Sequence, residues 1–203
     1  MHYPIPDLPP DGRHVKTFEI EKSRFICWLC HAPDNAAFDA LLQEARLTYP
    51  DASHHCSAFI AGAPGEQVAI GFSDDGEPGG TAGRPMFQAL EGSGMGQIGA
   101  VVTRYFGGTK LGTGGLVRAY TQSVLKALDT LPRRPFTERR AVAIQVAFSN
   151  EAETRRWLAD HDIPIASADY DSQGARLVAQ WPDDGSVSLT ALEQRLKGAL
   201  VRL

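Results

Sequence analysis

Glycine is concentrated in one part of this amino-acid sequence. Sixteen of the 20 glycines lie between Gly62 and Gly115, beside runs of residues that are typical of strands. Glycine is used where the backbone dihedral φ must be positive or where another group must approach the backbone closely. The distribution therefore predicts a set of shaped surface loops rather than a flexible linker, and we expect a binding site between Gly71 and Tyr120.

The overall composition is that of an ordinary globular protein, with 43% hydrophobic and 22% charged residues in a chain of 203. This length suits one large domain or two small ones. No apolar run approaches the roughly 20 residues that cross a bilayer, and the N-terminal residues have neither the basic start nor the apolar core of a secretory signal. We therefore expect a cytoplasmic protein that has no membrane partner.

Hydrophobic periodicity predicts an α+β chain with two domains. In the first domain, residues 1–132, a proline-rich extended arm precedes five strands and three helices. We expect the strands at 15–21, 24–30, 55–61, 67–73 and 98–106, and the helices at 35–48, 85–92 and 115–130, the last capped by Thr113. Residues 133–140 are predicted as a linker. Residues 141–203 have the order β-α-β-β-α, with or without a last strand, which is typical of a ferredoxin-like domain.

Basic charge is concentrated near the end of the first domain. Residues 104–140 carry eight basic and two acidic side chains, although the whole chain has a net charge of −4. A local basic field on an acidic protein indicates an anionic partner. The alternative is that the four arginines of LPRRPFTERR (131–140) only solvate the linker.

The segment YFGGTKLGTGGLVRAY (105–120) has the order strand, glycine-rich turn and helix. Unpaired backbone N–H groups at a helix N-terminus favour an anion, and a lysine and a threonine hydroxyl add donors. Neither G-x-x-x-x-G-K-[ST] nor G-x-G-x-x-G is present. The alternative is that the glycines only allow tight packing of strand against helix. The candidate anion- or nucleic-acid-binding residues are Arg104, Tyr105, Lys110, Thr113, Gly114, Gly115, Arg118 and Tyr120, with Phe106 as a further aromatic for base stacking.

The preceding loop, SDDGEPGGTAGR (73–84), is acidic. Asp74, Asp75 and Glu77 repel one another unless something neutralises them, and we expect Arg84 to do so, which leaves Arg104, Lys110 and Arg118 for an outside anion. A divalent ion at the three carboxylates is the alternative, but Asp-Gly and Glu-Pro-Gly are also ordinary turn sequences. The acidic turn is expected to face the basic loop across one groove.

Histidines and cysteines give no strong signal for a metal or for catalysis. His54 and His55 are neighbours on a predicted strand and therefore point to opposite faces, one towards the core and the other towards the glycine-rich region. Cys27 and Cys30 have the spacing of a redox or zinc pair, but they lie on an alternating strand, where buried thiols are expected. No nucleophile has a companion base at a recognisable spacing. We therefore expect no metal and no cofactor, and we prefer binding to catalysis.

Three motifs resemble the Impact family, including its bacterial YigZ-like members. They are HHCSA (54–58), SDDGEPGGTAGRP (73–85) and VVTRYFGGTKLGTGGLVRAY (101–120). The resemblance covers the whole first domain, and the rest of the chain fits the family's bacterial two-domain layout. It implies a first domain with the fold of the second domain of ribosomal protein S5, followed by a ferredoxin-like domain. Because both folds recur in ribosomal proteins and translation factors, it also implies RNA or a ribosome-associated partner.

Together these features predict a non-enzymatic regulatory binding protein that engages RNA or ribosome- and translation-associated targets through a glycine-rich basic groove. The alternative is an enzyme or sensor that binds a small phosphorylated ligand, with or without a divalent metal, at GGTKLGTGG (107–115). The resemblance adds that LGTGGL (111–116) is loosely similar to the glycine-rich phosphate loop of small-molecule kinases in the same S5-like superfamily.

Overall fold

The computed structural model describes residues 2–66 and 69–203. The described chain divides into two compact units, Tyr3–Phe136 and Thr137–Leu203, the second of which also includes His2. Across these residues it forms five helices and three sheets. The predicted α+β class with two domains is therefore confirmed, whereas the likeness of the first unit to ribosomal protein S5 stays a prediction.

The first unit is built on an antiparallel sheet between two helical layers. Its strands, in chain order, are β1 (His2–Pro6), β2 (Arg13–Ile20), β3 (Ser23–His31), β4 (His54–Ile60), β5 (Ile70–Ser73), β6 (Ile98–Tyr105) and β7 (Arg133–Thr137). Five of them form the main sheet in the order β2-β3-β6-β4-β5, and β1 pairs with β7. Of the predicted strand 67–73, residues 67 and 68 lie outside the described residues.

Helices cover both faces of the main sheet. They are α1 (Asn35–Thr48), α2 (Gly83–Gly92) and α3 (Gly112–Leu128). Alternate residues of β3 and β6 pack on α2 and α3 through Leu29 and Val102, and on α1 through Trp28 and Val101. Because successive strand residues point to opposite faces, the central strand β6 is buried on both sides from Ile98 to Arg104.

Two features of the first unit differ from the sequence predictions. Helix α3 begins at Gly112, with Leu111 as its N-cap, so Thr113 lies inside the first turn and does not cap it. Gly112 has a φ of +70°, a left-handed value that glycine adopts easily, and the chain therefore turns into the helix earlier than expected. The predicted linker is not irregular either, because residues 133–137 form β7 and pair with the N-terminal arm.

The second unit has the predicted ferredoxin-like order of elements. It contains β8 (Arg139–Val146), α4 (Phe148–Asp160), β9 (Ile165–Tyr170), β10 (Ala175–Pro182), α5 (Leu189–Arg195) and β11 (Leu200–Arg202). The sheet is antiparallel with the strand order β11-β8-β10-β9. Its inner face packs Ile144, Leu177 and Trp181 against Leu158 of α4 and Leu192 of α5. None of the helices in the described part of the chain is long and apolar enough to span a membrane.

Candidate functional site

Two neighbouring strands bring the candidate site together. His54 on β4 lies directly opposite Arg104 on β6, so the two side chains share a face of the sheet. The same face carries Cys56 and Val102 and is covered by α2 and α3. On this face the acidic turn 73–84 and the glycine-rich loop 105–115 line one pocket of about 400 Å³.

A buried ion pair forms the floor of the pocket. Arg104 Nη1 donates a hydrogen bond to Glu77 Oε1 over 2.6 Å, and the two side chains are only 6% and 3% exposed. Tyr120 donates its hydroxyl hydrogen to the same Glu77 oxygen over 2.7 Å. Burial, together with the adjacent Cys56 and Glu77, raises the pKa of Tyr120, so the hydroxyl stays a donor. A buried ion pair needs such additional hydrogen bonds to offset the loss of its hydration.

The prediction that Arg84 neutralises the acidic turn is wrong for Glu77, whose partner is Arg104. Arg84 lies close to Glu77 in the sequence, but it is exposed in the first turn of α2. The pairing of β4 with β6 brings Arg104 to the acidic turn instead. Arg104 is therefore engaged inside the protein and is not free to bind an outside anion.

Asp74 fixes the beginning of α2. Its carboxylate accepts hydrogen bonds from the backbone N–H groups of Gly80, Ala82 and Gly83, over 2.8, 3.0 and 2.8 Å. Burial acts to raise the pKa of Asp74, but the three hydrogen bonds outweigh it, so the pKa lies below its ordinary value. Satisfying the free N–H groups of a first helical turn is what a capping carboxylate does.

Asp75 connects the acidic turn to both histidines. Its carboxylate pairs with Arg46 over 3.1 Å and accepts a hydrogen bond from the backbone N–H of His55 over 2.6 Å. Its backbone carbonyl oxygen lies 2.8 Å from His54 Nδ1. The three carboxylates of the turn thus have separate partners, and across the described residues no group of three or more histidine, cysteine or acidic side chains is arranged to hold a metal.

The two histidines lie on opposite faces, as their positions predict. His55 is buried between Thr103 Oγ1 and the carbonyl oxygen of Tyr49, at 3.0 and 3.1 Å, and burial lowers its pKa despite the bond to Tyr49. His54 faces the pocket, where its Nε2 lies 3.8 Å from Glu77 Oε2. Because a carbonyl oxygen can only accept, the His54 Nδ1 carries the hydrogen, and Nε2 of the neutral ring is an acceptor.

The three cysteines are buried free thiols, as expected of cysteines on strands. Burial raises the pKa of all of them, that of Cys30 to about 12. Thiols protonated in this way are poor nucleophiles and poor metal ligands.

The rim of the pocket is basic and open. Lys110 and Thr113 are exposed there, and no side chain caps the N-terminus of α3. Phe106 is 49% exposed, with the guanidinium of Arg104 5.6 Å from the centre of its ring. The lining residues are His54, Glu77, Pro78, Arg104, Phe106, Lys110, Leu111, Gly112, Thr113 and Leu116.

The remaining candidate residues divide into those near the rim and those that face elsewhere. Gly114, Gly115 and Arg118 follow along α3, and Arg118 is exposed. Tyr105 lies on the opposite face of the sheet, where its hydroxyl donates to Asp51 over 2.8 Å. Tyr120 is fully buried. The expectation that Tyr105 or Tyr120 stacks on a base is therefore wrong, and Phe106 is the aromatic residue that the pocket exposes.

The four arginines of the predicted linker each have a partner. Arg133 donates to a carbonyl oxygen at the end of α3, and the other three pair with aspartates. These pairs are Arg134 with Asp7, Arg139 with Asp162 and Arg140 with Asp183. The segment is therefore not a free basic patch, and the exposed positive charge near the pocket belongs to Lys110 and Arg118.

Sequence reasoning expected one of the two histidines to face the glycine-rich region without saying which, and it did not single out Leu111 within GGTKLGTGG. His54 opens the motif HHCSA, but only the register of β4 against β6 shows that it faces Arg104. Leu111 became part of the site because α3 begins one residue after it.

Comparison with known proteins gives consistent matches. The Impact N-terminal domain model matches residues 21–128, a range that contains every residue lining the pocket. The chain is 46% identical to the IMPACT family member YigZ of Escherichia coli (strain K12) over 155 residues, which cover 75% of this chain and 74% of that protein. It is 34% identical to an IMPACT family member of Thermus thermophilus over 183 residues, 89% of this chain and 97% of that one.

A solved structure matches the fold over the whole chain. It is a crystal structure of a hypothetical protein, 39% identical in sequence, with a TM-score of 0.70. The match covers 100% of this chain and 96% of the other, so both units have counterparts in it.

Proposed function

The chain belongs to the Impact family, and we propose that it is a non-enzymatic regulatory binding protein that engages RNA, alone or in ribosome- or translation-associated complexes. The RNA would bind at the pocket and its basic rim. The observation that carries the proposal is the uncapped N-terminus of α3, which opens beside the exposed Lys110.

Electrostatics favour a phosphate at this position. The first N–H groups of a helix have no partner within it, and the helix dipole places roughly half a positive charge there. α3 has 17 residues, and Lys110 precedes its first turn. Inside the pocket Arg104 compensates Glu77, so the field that an approaching phosphate meets is set by Lys110, Arg118 and the helix terminus.

Phe106 adds a surface for a nucleic-acid base. Its ring is half exposed at the pocket, and an exposed aromatic ring beside a basic groove is how single-stranded nucleic acids are commonly held. Such stacking is sequence-tolerant because every base has a flat aromatic face. Phosphate contacts and one stacked base together favour a single strand over a duplex.

A small phosphorylated ligand is the second candidate, and the size of the pocket favours it. A volume of about 400 Å³ falls in the range of roughly 300–1,000 Å³ that small-molecule sites occupy. Such a ligand would use the same N–H groups of α3 and the same lysine. It would not reach Arg118, which does not line the pocket.

The test is fluorescence anisotropy with a single-stranded RNA of about ten nucleotides, measured between about 50 and 200 mM salt. We expect steep weakening with salt, and the double charge reversal K110E/R118E should weaken binding further and reduce the salt slope by roughly 1.4. The matched control R176E/K197E carries the same charge change on exposed residues of the second unit and should bind like the wild type.

Two results would contradict the proposal. If K110E/R118E binds RNA as the wild type does, the site is elsewhere. If RNA does not bind but a mononucleotide raises the melting temperature, the second candidate replaces the first.

A further inference from the structure

We infer that the pocket holds one ribonucleotide of the bound strand, with its phosphate at the N-terminus of α3 and its ribose 2′-hydroxyl at Glu77 and His54. The inference rests on the proposed function. It adds how the site distinguishes RNA from DNA.

Two hydrogen-bond acceptors face each other at the floor of the pocket. Glu77 Oε1 receives hydrogen bonds from Arg104 and Tyr120, but no hydrogen bond from the described residues reaches Oε2. The nearest group to Oε2 is His54 Nε2 at 3.8 Å, which is too long for a direct hydrogen bond. The Glu77 side chain is only 3% exposed, so Oε2 is the part of this carboxylate that remains available to a ligand in the pocket.

The tautomer of His54 adds a second acceptor that has no donor among the described residues, its Nε2 atom. Its Nδ1 hydrogen is used by the carbonyl oxygen of Asp75, so Nε2 of the neutral ring presents a lone pair. Glu77 Oε2 and His54 Nε2 are then both acceptors. A ligand group that contacts both of them must donate a hydrogen to one of them, as a hydroxyl does and an ionised phosphate does not.

The charges of the pocket determine which end of a ligand enters first. Lys110 and the first turn of α3 attract a phosphate to the rim, whereas at the floor the charge of Arg104 is already compensated by Glu77. A ligand with a hydroxyl at one end and a phosphate at the other therefore enters with its hydroxyl inward. A ribonucleotide has this polarity, and Phe106, which lines the same pocket, offers its half-exposed ring to the base.

The 2′-hydroxyl is the group that lets a protein separate RNA from DNA at a given nucleotide. A deoxyribonucleotide has no hydroxyl at this position to donate a hydrogen bond to Glu77 Oε2 or His54 Nε2. One neutral hydrogen bond of this kind corresponds to roughly a 3- to 10-fold difference in affinity.

The experiment compares oligouridylate of about ten nucleotides with its 2′-deoxy counterpart, which keeps the base constant and changes only the sugar. The wild type is expected to bind the ribose form roughly 3- to 10-fold more tightly. His54→Ala should remove this preference, so that the ribose and deoxy forms bind with equal affinity. The matched control is His161→Ala, because His161 also places Nδ1 on a backbone carbonyl, that of Trp157, but lies in the other unit.

A competition assay needs no variant and covers the case in which His54→Ala does not fold. Uridine 5′-monophosphate should displace the labelled strand at a lower concentration than 2′-deoxyuridine 5′-monophosphate. Equal competition, or equal binding of the two oligonucleotides by the wild type, overturns the inference. So does a ribose preference that survives His54→Ala in a folded protein.

The outcomes separate the inference from the proposed function. If RNA binding depends on Lys110 and Arg118 without any ribose preference, the proposed function stands and the inference falls. If neither oligonucleotide binds, both fall.

Discussion

Gly107 lies against the backbone of Lys22 so closely that a Cβ atom at position 107 would stand 2.0 Å from the Lys22 carbonyl carbon. Its backbone N–H donates to Ser23 Oγ over 3.1 Å. The turn between β2 and β3 therefore packs directly on the glycine-rich loop. At this position the glycine serves close packing, whereas Gly114, exposed in the first turn of α3, has room for a side chain.

The first prediction contrasts these two glycines. Gly107→Ala should lower the free energy of unfolding by about 1–3 kcal/mol, because the added methyl group overlaps backbone atoms that have to move. Gly114→Ala should instead raise it by about 0.5–1 kcal/mol, since alanine is the better helix former and its Cβ would meet only Arg118 at an ordinary 3.6 Å. Urea denaturation measures both, and equal effects of the two changes would contradict the packing role of Gly107.

The second prediction concerns the buried ion pair. Glu77→Ala should lower the free energy of unfolding by about 3–5 kcal/mol, because it leaves the guanidinium of Arg104 buried without its counter-charge. Glu91→Ala removes an exposed carboxylate of α2 and should stay within about 0.5 kcal/mol of the wild type. A loss below about 1 kcal/mol for Glu77→Ala would show that the pair behaves as a surface salt bridge.

The third prediction is a dependence of stability on pH that comes from Asp74. Its pKa in the folded protein lies below the ordinary value of 3.8, so its stabilising contribution is present above that value and is lost as the pH falls through the folded pKa. Asp74→Ala should cost about 0.5–2 kcal/mol at pH 7, and the difference from the wild type should shrink below pH 3.8. Denaturant titrations over this pH range measure it, and a constant difference would rule out the ionised cap.

The fourth prediction separates stacking from charge. Phe106→Ala should weaken binding of single-stranded RNA by about 5- to 150-fold without changing the slope of affinity against salt, because no phosphate contact is lost. Phe148→Ala provides the control, since Phe148 is 56% exposed in the other unit. Full affinity in Phe106→Ala would mean that the base lies elsewhere.

Much of the fold follows from local patterns in the sequence. Alternation identifies the strands around Val101 and Ile144, and the cap Asp34, which accepts from the Ala37 N–H over 2.8 Å, marks the start of α1. The early start of α3 could not be predicted from such patterns, because it depends on the positive φ of Gly112. β7 was missed because a strand rich in arginine and proline is stabilised by pairing with a distant segment.

The sequence predicts a binding site in the glycine-rich region, and a pocket lies there. The contacts inside that pocket could not be predicted. The strand period alone puts Arg104 and Tyr105 on opposite faces, and the apolar stripe of α3 already includes Tyr120, so both tyrosines could have been left out of the predicted surface. The pairing of Arg104 with Glu77, in contrast, could not be predicted from the sequence. It depends on the register between β4 and β6, which no local pattern encodes.

Asp75 connects groups that lie on opposite sides of the main sheet. Its carboxylate holds Arg46 in the last turn of α1, on one side of the main sheet, and its carbonyl oxygen orients His54, on the other side. A ligand that shifts the imidazole of His54 must also displace the main chain of Asp75 and, with it, the guanidinium of Arg46. Binding in the pocket should therefore change the NMR signal of the Arg46 side chain, although Arg46 lies on the other side of the main sheet.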